Sequence, residues 1–197
     1  MKREVRGLAG IVAAVVGLAL LAQGLWIPAK AVAAQILLER AWERTRGGEG
    51  DARPWPWADH RPVARIRVPR LGVSAIVLEG ATGGSLAFGP GHLAGSAPPG
   101  APGNAVIAGH RDTHFAFLRD LRPGDALLVE PPAGPTRHYE VTDAAVVSER
   151  DTWLLANAAT AMLTLVTCFP FDAAVPGGPE RYVVRAELLP PLASLRE

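Results

Sequence analysis

Three residues with the chemistry of acyl transfer stand at the ends of short apolar segments. Cys168, the only cysteine, ends one segment, His110 ends another, and Arg181 opens a third just after the loop that follows the cysteine. A thiol becomes a strong nucleophile when an imidazole takes its proton, and that imidazole can then protonate a departing amine. An arginine can stabilise a developing oxyanion. If neighbouring strands bring the three together, the residue types predict covalent cysteine catalysis.

Each of these residues also has an ordinary structural explanation. A lone cysteine is as readily a buried core residue as a nucleophile. A histidine after a strand is more often a hydrogen-bonded structural or surface residue than a base, and an arginine at a strand start is usually solvated. Side chains alternate along a strand, so Cys168 shares its face with Val166, while Thr167 points the other way. Thr167 is therefore expected to contact a substrate only through its backbone.

The elements that would position these residues are mostly strands. Alternating or short apolar runs bounded by some of the 21 glycines and 18 prolines predict a small β-barrel or sandwich. Short helices are expected at 115–121, after the capping residue Thr113, and within 151–161. The predicted strands are Arg65 to Val68, Val73 to Leu78, Ala105 to Gly109, Asp125 to Glu130, Arg137 to Val147, Met162 to Cys168 and Arg181 to Leu189.

An uncharged apolar stretch at residues 7–29 follows Lys2, Arg3 and Arg6. As a helix it is long enough to cross a bilayer. Basic residues before it predict a cytoplasmic N-terminus and an extracytoplasmic remainder, periplasmic in a Gram-negative cell, with one pass through the cell (inner) membrane. A cleaved signal peptide ending near Ala33 is the competing interpretation, less favoured because the apolar region is long.

The domain organisation follows from these changes in composition. We expect a basic tail and membrane anchor (1–30), a stalk and Pro/Trp-rich linker (31–62), a catalytic β-domain (63–190) and a tail (191–197). The chain has 20 basic and 19 acidic residues, with a net charge of +1, which argues against nucleic acid as a partner. A single cysteine excludes an internal disulfide.

Three segments resemble a known family when taken in order. Ala108-Gly109-His110-Arg111, Thr164-Leu165-Val166-Thr167-Cys168 and Glu180-Arg181-Tyr182-Val183-Val184 are similar to the His, Cys and Arg signatures of the sortases. The resemblance covers about Arg65 to Leu189. The Pro54-Trp55-Pro56-Trp57 run, and the loop from Pro170-Phe171 through Gly177-Gly178-Pro179, resemble the proteobacterial, single-substrate type.

The resemblance implies a closed eight-stranded β-barrel and a membrane-anchored cysteine transpeptidase. Cys168 would attack a carbonyl in an LPXTG-like sorting signal of a substrate protein and form a thioacyl-enzyme. An amine acceptor would then resolve it. His110 would serve as general acid and base and Arg181 as the oxyanion or substrate-positioning residue. The family's chemistry implies no cofactor and no metal, and the sequence contains no acidic cluster that would justify a calcium site.

Further residues are expected to line the substrate groove, and rival functions stay open. His92 precedes the His110 strand and Phe169 begins the loop after the nucleophile, so both are candidate substrate contacts together with Thr167.

A cysteine hydrolase that releases its acyl group to water uses the same residues. A metal-binding module could use His92, His110, His114 and Cys168, and a non-catalytic membrane-tethered binding domain requires an inert Cys168.

Overall fold

The structure, a computed structural model, describes residues 2–156, 158–173, 175 and 177–190, with side chains from residue 15 onward. Its strands are β1 (Pro62–Val68), β2 (Val73–Glu79), β3 (Gly91–His92), β4 (Asn104–Ala108), β5 (Ala126–Glu130), β6 (Arg137–Ser148), β7 (Met162–Phe169) and β8 (Glu180–Leu188). The α-helices are α1 (Lys2–Arg46) and α2 (Gly83–Leu86), and the 3₁₀ helices are Pro69–Leu71, Ala116–Asp120 and Thr152–Leu155.

The eight strands close into a barrel in the order β1-β2-β3-β4-β7-β8-β6-β5, with β5 pairing back onto β1. The closed eight-stranded barrel implied by the family resemblance is confirmed. The sheet closes into a barrel, and not a sandwich, through two sets of pairings. β7 pairs in parallel with β4 and antiparallel with β8, which joins the two halves of the sheet, and β5 pairs with β1. Such a parallel pair needs a long crossover connection, and residues 109–161, which include β5 and β6, supply it.

Alternation along each strand separates the interior of the barrel from its outer surface. Leu163 and Leu165 of β7 are fully buried in the main core together with Val184 of β8. Because successive side chains point to opposite faces, Val166 and Cys168 lie on the outer surface of the same strand. The inward-facing core therefore supports a strip of outward-facing residues on β4, β7 and β8.

Some local elements differ from the sequence expectation. The two-residue strand β3 was not predicted, because so short a segment carries no periodicity; it pairs with β2 and β4 within a Gly/Pro-rich stretch. The helix expected at 115–121 is a 3₁₀ helix over Ala116–Asp120, and Thr113 does not cap it, since Phe115 holds the N-cap position. In the segment 151–161 the helical part is only Thr152–Leu155.

The N-terminal helix divides between two compact units, residues 1–37 and 38–197. Helix α1 contains Pro28. Its segment Val15–Arg46 is long and apolar enough to cross a membrane, with a mean hydropathy of 1.6. Length and composition alone support that possibility.

In the second unit, the last turns of α1 pack on the barrel. Leu38 and Trp42, both buried, contact Ile76 and Leu78 on the outer face of β2, with Phe88 packed beside them. Residues 38–46, within the segment 31–62 that the sequence predicts to be a stalk and linker, thus end against β2 of the barrel; the predicted domain boundaries stay predictions. The expected tail at 191–197 lies outside the described residues.

Candidate active site

The register of β7 and β8 sets Cys168 directly opposite Arg181. Directly opposed residues in an antiparallel pair have Cβ atoms about 4.5–5.5 Å apart and project to the same face. Cys168 is half-buried and is a free thiol, and the Arg181 side chain is 26% exposed. Both outward-facing side chains are thus accessible at the same end of the barrel.

The parallel pairing of β4 with β7 brings His110 to this end. Ala108 is the register partner of Val166, and the backbone N–H of Gly109 donates to the Val166 carbonyl at 3.1 Å. One residue beyond Gly109, the exposed His110 follows at the level where β7 reaches Cys168. The strand pairings therefore bring Cys168, His110 and Arg181 to one rim. Paired residues are 58 positions apart in sequence between β4 and β7, and Cys168 and Arg181 are 13 positions apart.

A close backbone approach shapes the turn that carries His110. A Cβ built on Gly109 would lie 2.7 Å from the ring of Phe115, a core residue that is fully buried. The backbone N–H of Phe115 donates to the His110 carbonyl at 3.0 Å. Glycine at 109 lets the chain turn over the Phe115 ring, and that ring then supports the segment bearing the imidazole.

Thr167 fixes the same strand end from the other side. It is only 3% exposed, and its hydroxyl donates to the Gly109 carbonyl at 2.7 Å. Its inward direction agrees with the alternation expected from the sequence. The hydroxyl is nevertheless engaged in holding β4 to β7 immediately before His110, a contact that the sequence alone did not indicate. A backbone contact of Thr167 with substrate stays a prediction.

Arg181 is held in place by neighbours at its own strand end. Its Nη1 donates to the carbonyls of Gly178 at 2.7 Å and Glu180 at 2.8 Å, and its Nη2 donates to Glu149 Oε2 at 2.7 Å. Glu149 follows β6, the strand on the other side of β8. A guanidinium carries five N–H donors, so donors remain for a developing oxyanion beside Cys168.

Phe169 and His92 have other partners in the structure. Phe169 stacks on Tyr182 with ring centroids 6.3 Å apart and meets Phe171 edge-on, so it belongs to an aromatic group at the start of the loop. His92 Nε2 lies 2.8 Å from the Ala97 carbonyl and 2.9 Å from the Ser96 hydroxyl. Their roles as substrate contacts stay predictions.

A second histidine influences the electrostatics beside His110. His114 is half-buried, and its pKa is lowered, first because burial disfavours the imidazolium and then because His110 would repel its charge.

Sequence reasoning missed two polar contacts, one at the start of the strands that carry the site and one beside His110. Asn104 accepts a 2.8 Å hydrogen bond from Thr164 and donates to the carbonyl of Leu154 at 2.8 Å, which ties the β6–β7 loop to the outer face of β4 and β7. Arg111, beside His110, is 3% exposed and bonds to the loop after Cys168. A polar residue opening an apolar strand and a charge directly after the histidine were the available signals.

No group of three or more His, Cys, Asp or Glu side chains suited to a metal ion occurs among the described residues. The rival module of His92, His110, His114 and Cys168 therefore lacks a ligand cluster there. His92 and Cys168 belong to different segments of the barrel wall, and the His92 ring is engaged within its own loop.

Comparison with known proteins gives consistent matches. Residues 66–189 match the family model described as Sortase domain. Sortase D of Bacillus subtilis (strain 168) is 31% identical over 120 residues, which cover 60% of this chain and 60% of that protein. The solved Clostridium perfringens sortase D5 transpeptidase is similar at 30% identity with a TM-score of 0.59, covering 66% of this chain and 80% of that one. Sortase A from Corynebacterium diphtheriae is similar at 27% identity with a TM-score of 0.61, covering 80% and 85%.

Proposed function

The chain belongs to the sortase family, and on that premise we propose that it is a membrane-anchored cysteine transpeptidase that joins a sorting-signal protein to an amine. The observation that carries this proposal is the strand register, which sets Cys168 opposite Arg181 and brings His110 to the same rim. Since the matched region spans 60% of the length of the Bacillus subtilis relative, activity, substrate and partners are all part of the proposal.

The first half of the reaction is acylation of Cys168. The thiolate attacks the carbonyl carbon of the scissile peptide bond, and a bond forms between Sγ and that carbon. Arg181 donates hydrogen bonds to the oxygen as it gains negative charge. The carbon–nitrogen bond then breaks, and His110 transfers its proton to the departing amine. The product of this half is a thioester on Cys168.

The second half reverses the roles of the same groups. An acceptor amine attacks the thioester carbonyl, His110 takes up the proton that the amine loses, and the carbon–sulfur bond breaks to regenerate the thiolate. Arg181 again stabilises the oxyanion. Water in place of the amine would give hydrolysis, so acceptor binding decides between the two products.

The substrate is proposed to lie along the outer face of β4 and β7, at the end that carries Cys168. Val166 is only partly buried beside Cys168 on that face, and the β6–β7 loop is tied across it through Asn104. We propose that an extended peptide with an LPXTG-like motif lies along this face beside the loop. We further propose that the substrate protein carries this signal at its C-terminus, and that the enzyme belongs to the proteobacterial single-substrate type.

The membrane part of the proposal rests on α1. Its apolar stretch at 7–29 would cross the cell (inner) membrane once and place the barrel on the extracytoplasmic side, because Lys2, Arg3 and Arg6 precede it. The catalytic barrel would then act where secreted substrate proteins emerge.

The test is to trap the thioester. Full-length protein in detergent is mixed with a peptide carrying an LPXTG-like motif, quenched in acid and analysed by intact mass spectrometry. We expect a hydroxylamine-sensitive adduct on Cys168 with the mass of the N-terminal peptide fragment, and loss of that adduct in Cys168→Ala. Adding an amine should convert the adduct to a ligated product, whereas release to water alone would support the hydrolase.

The contribution of Arg181 has a matched control on the same strand. Arg185 also lies on the outer face of β8 and also pairs with a carboxylate, Asp143, at 2.9 Å, but it stands opposite Thr164 and not opposite the thiol. Arg181→Ala should lower the acylation rate by at least 100-fold and Arg185→Ala by less than fivefold, in line with about 10²–10³-fold for loss of one oxyanion donor. Equal losses, or turnover by Cys168→Ala, would refute the assignment.

A further inference from the structure

Arg111 is a buried arginine whose ion pair among the described residues is a long one. Its side chain is 3% exposed, and the nearest acid, the exposed Asp112, accepts only a long contact of 3.4 Å from Nε. Removing a guanidinium from water costs several kcal/mol unless other groups compensate. The compensation visible here comes from backbone carbonyls.

Those carbonyls belong to the loop that follows the nucleophile. Arg111 Nη2 donates to the carbonyls of Ala173 and Val175, each at 2.9 Å. Arg111 itself follows His110 directly in the chain, whereas the loop at 170–179 begins two residues after Cys168. One side chain therefore connects the segment carrying the imidazole to the segment that leaves the thiol.

Phe171, at the start of the loop, packs on the barrel core and edge-on against Tyr182; beyond Phe171, the described residues of the near half have weak contacts of their own. Among its described residues, the Ala173 N–H makes a long 3.4 Å bond to the Pro170 carbonyl, and Val175 is 74% exposed. Its far half is held separately, by Arg181 at Gly178 and by the Glu149 N–H at the Pro179 carbonyl. Beyond Phe171, the described part of the loop is thus held at two places, each by an arginine next to, or belonging to, the candidate site.

We propose that Arg111 is a positioning residue: it holds the loop after Cys168 against the His110 segment, so that the loop forms a fixed wall for the sorting-signal peptide. This inference rests on the transpeptidase function proposed above. Arg111 neither receives nor donates the transferred proton, and it does not touch the reacting carbonyl. Its effect is to order the wall before substrate arrives, which lowers the entropic cost of binding.

The test compares Arg111→Ala, Arg111→Lys and a destabilised control, Val129→Ala, which truncates a fully buried side chain of β5 away from the site. The first readout is amide hydrogen exchange of peptides containing Ala173 and Val175 in the full-length protein. We expect Arg111→Ala to speed exchange there at least tenfold, Val129→Ala to leave it within twofold, and Arg111→Lys, which keeps a donor, to lie between them. Unchanged exchange in Arg111→Ala would overturn the proposed anchoring.

The second readout is steady-state kinetics with the sorting-type peptide. A wall that positions substrate predicts that Arg111→Ala raises KM at least fivefold, while the pH dependence of Cys168 alkylation by iodoacetamide stays as in the wild type. Faster exchange with an unchanged KM would overturn the positioning role, and a shifted alkylation profile would mean that Arg111 acts on the thiol itself. If the wild type does not turn over the peptide, the proposed function fails, while the exchange experiment still decides the anchoring. Should Arg111→Ala not fold, Arg111→Lys and Arg111→Gln carry both measurements.

Discussion

The hydrogen bond from Thr167 to Gly109 makes a quantitative prediction about how the barrel holds His110. Thr167→Val keeps the shape and volume of the side chain but removes the hydroxyl that donates to the Gly109 carbonyl at 2.7 Å. Because Thr167 is 3% exposed and Gly109 is buried, water does not readily replace the lost donor. Leaving a buried acceptor unsatisfied costs about 1–3 kcal/mol of unfolding free energy.

The same change should affect acylation, because the bond lies one residue before His110. A displacement of a catalytic group by about 1 Å can lower a rate by about 10²-fold. We therefore expect Thr167→Val to slow single-turnover formation of the Cys168 thioester by about 10- to 100-fold, in line with that sensitivity. Urea denaturation measures the stability and quenched-flow mass spectrometry the acylation rate.

Thr167→Ser is the matched control, since it keeps the hydroxyl and removes only the buried methyl group. Loss of one buried methyl group costs about 0.5–1.5 kcal/mol, and acylation should stay within threefold of the wild type. A valine variant as stable as the wild type would show that the hydrogen bond to Gly109 does not stabilise the fold. If the valine variant loses stability but acylates at the wild-type rate, the bond does not position His110 for catalysis.

Three further changes test the supports of the site and barrel. Gly109→Ala places a Cβ 2.7 Å from the Phe115 ring; it should cost about 1–3 kcal/mol by overpacking and slow thioester formation, and wild-type melting and acylation would contradict it. The pKa of Asp125 is lowered, first by hydrogen bonds from Arg70, so its stabilisation is complete above its unfolded pKa of about 3.9 and disappears as the pH falls through the lower folded value. Asp125→Asn should accordingly have a lower urea midpoint than the wild type at pH 7, with the difference vanishing in acid; a difference independent of pH would be contrary evidence. Trp42→Ala should lose about 3–5 kcal/mol in urea unfolding of the full chain, and a loss under 1 kcal/mol would mean that the end of α1 does not pack tightly on β2.

Much of the site was accessible from the sequence because its signals are local. A thiol, an imidazole and a guanidinium each mark the end of an apolar segment, and the types of these residues define a chemistry without any knowledge of contacts. Alternation likewise identified most of the strands, because the period of two is a property of consecutive residues. The apolar stretch at 7–29 is recognisable by length and lack of charge alone.

The tertiary structure decided which segments meet. The pairing of β4 with β7, and the pairing of the two-residue β3 between β2 and β4, depend on which apolar faces fit together across long stretches of chain. No sequence pattern distinguishes the buried Arg111 from a solvated arginine, because its partners are backbone carbonyls more than 60 residues away. The same holds for the Thr167 hydroxyl and for Trp42 against β2. The chemistry of each side chain is evident from the sequence alone. Burial and hydrogen-bond partners are decided only when distant segments pack together and exclude water.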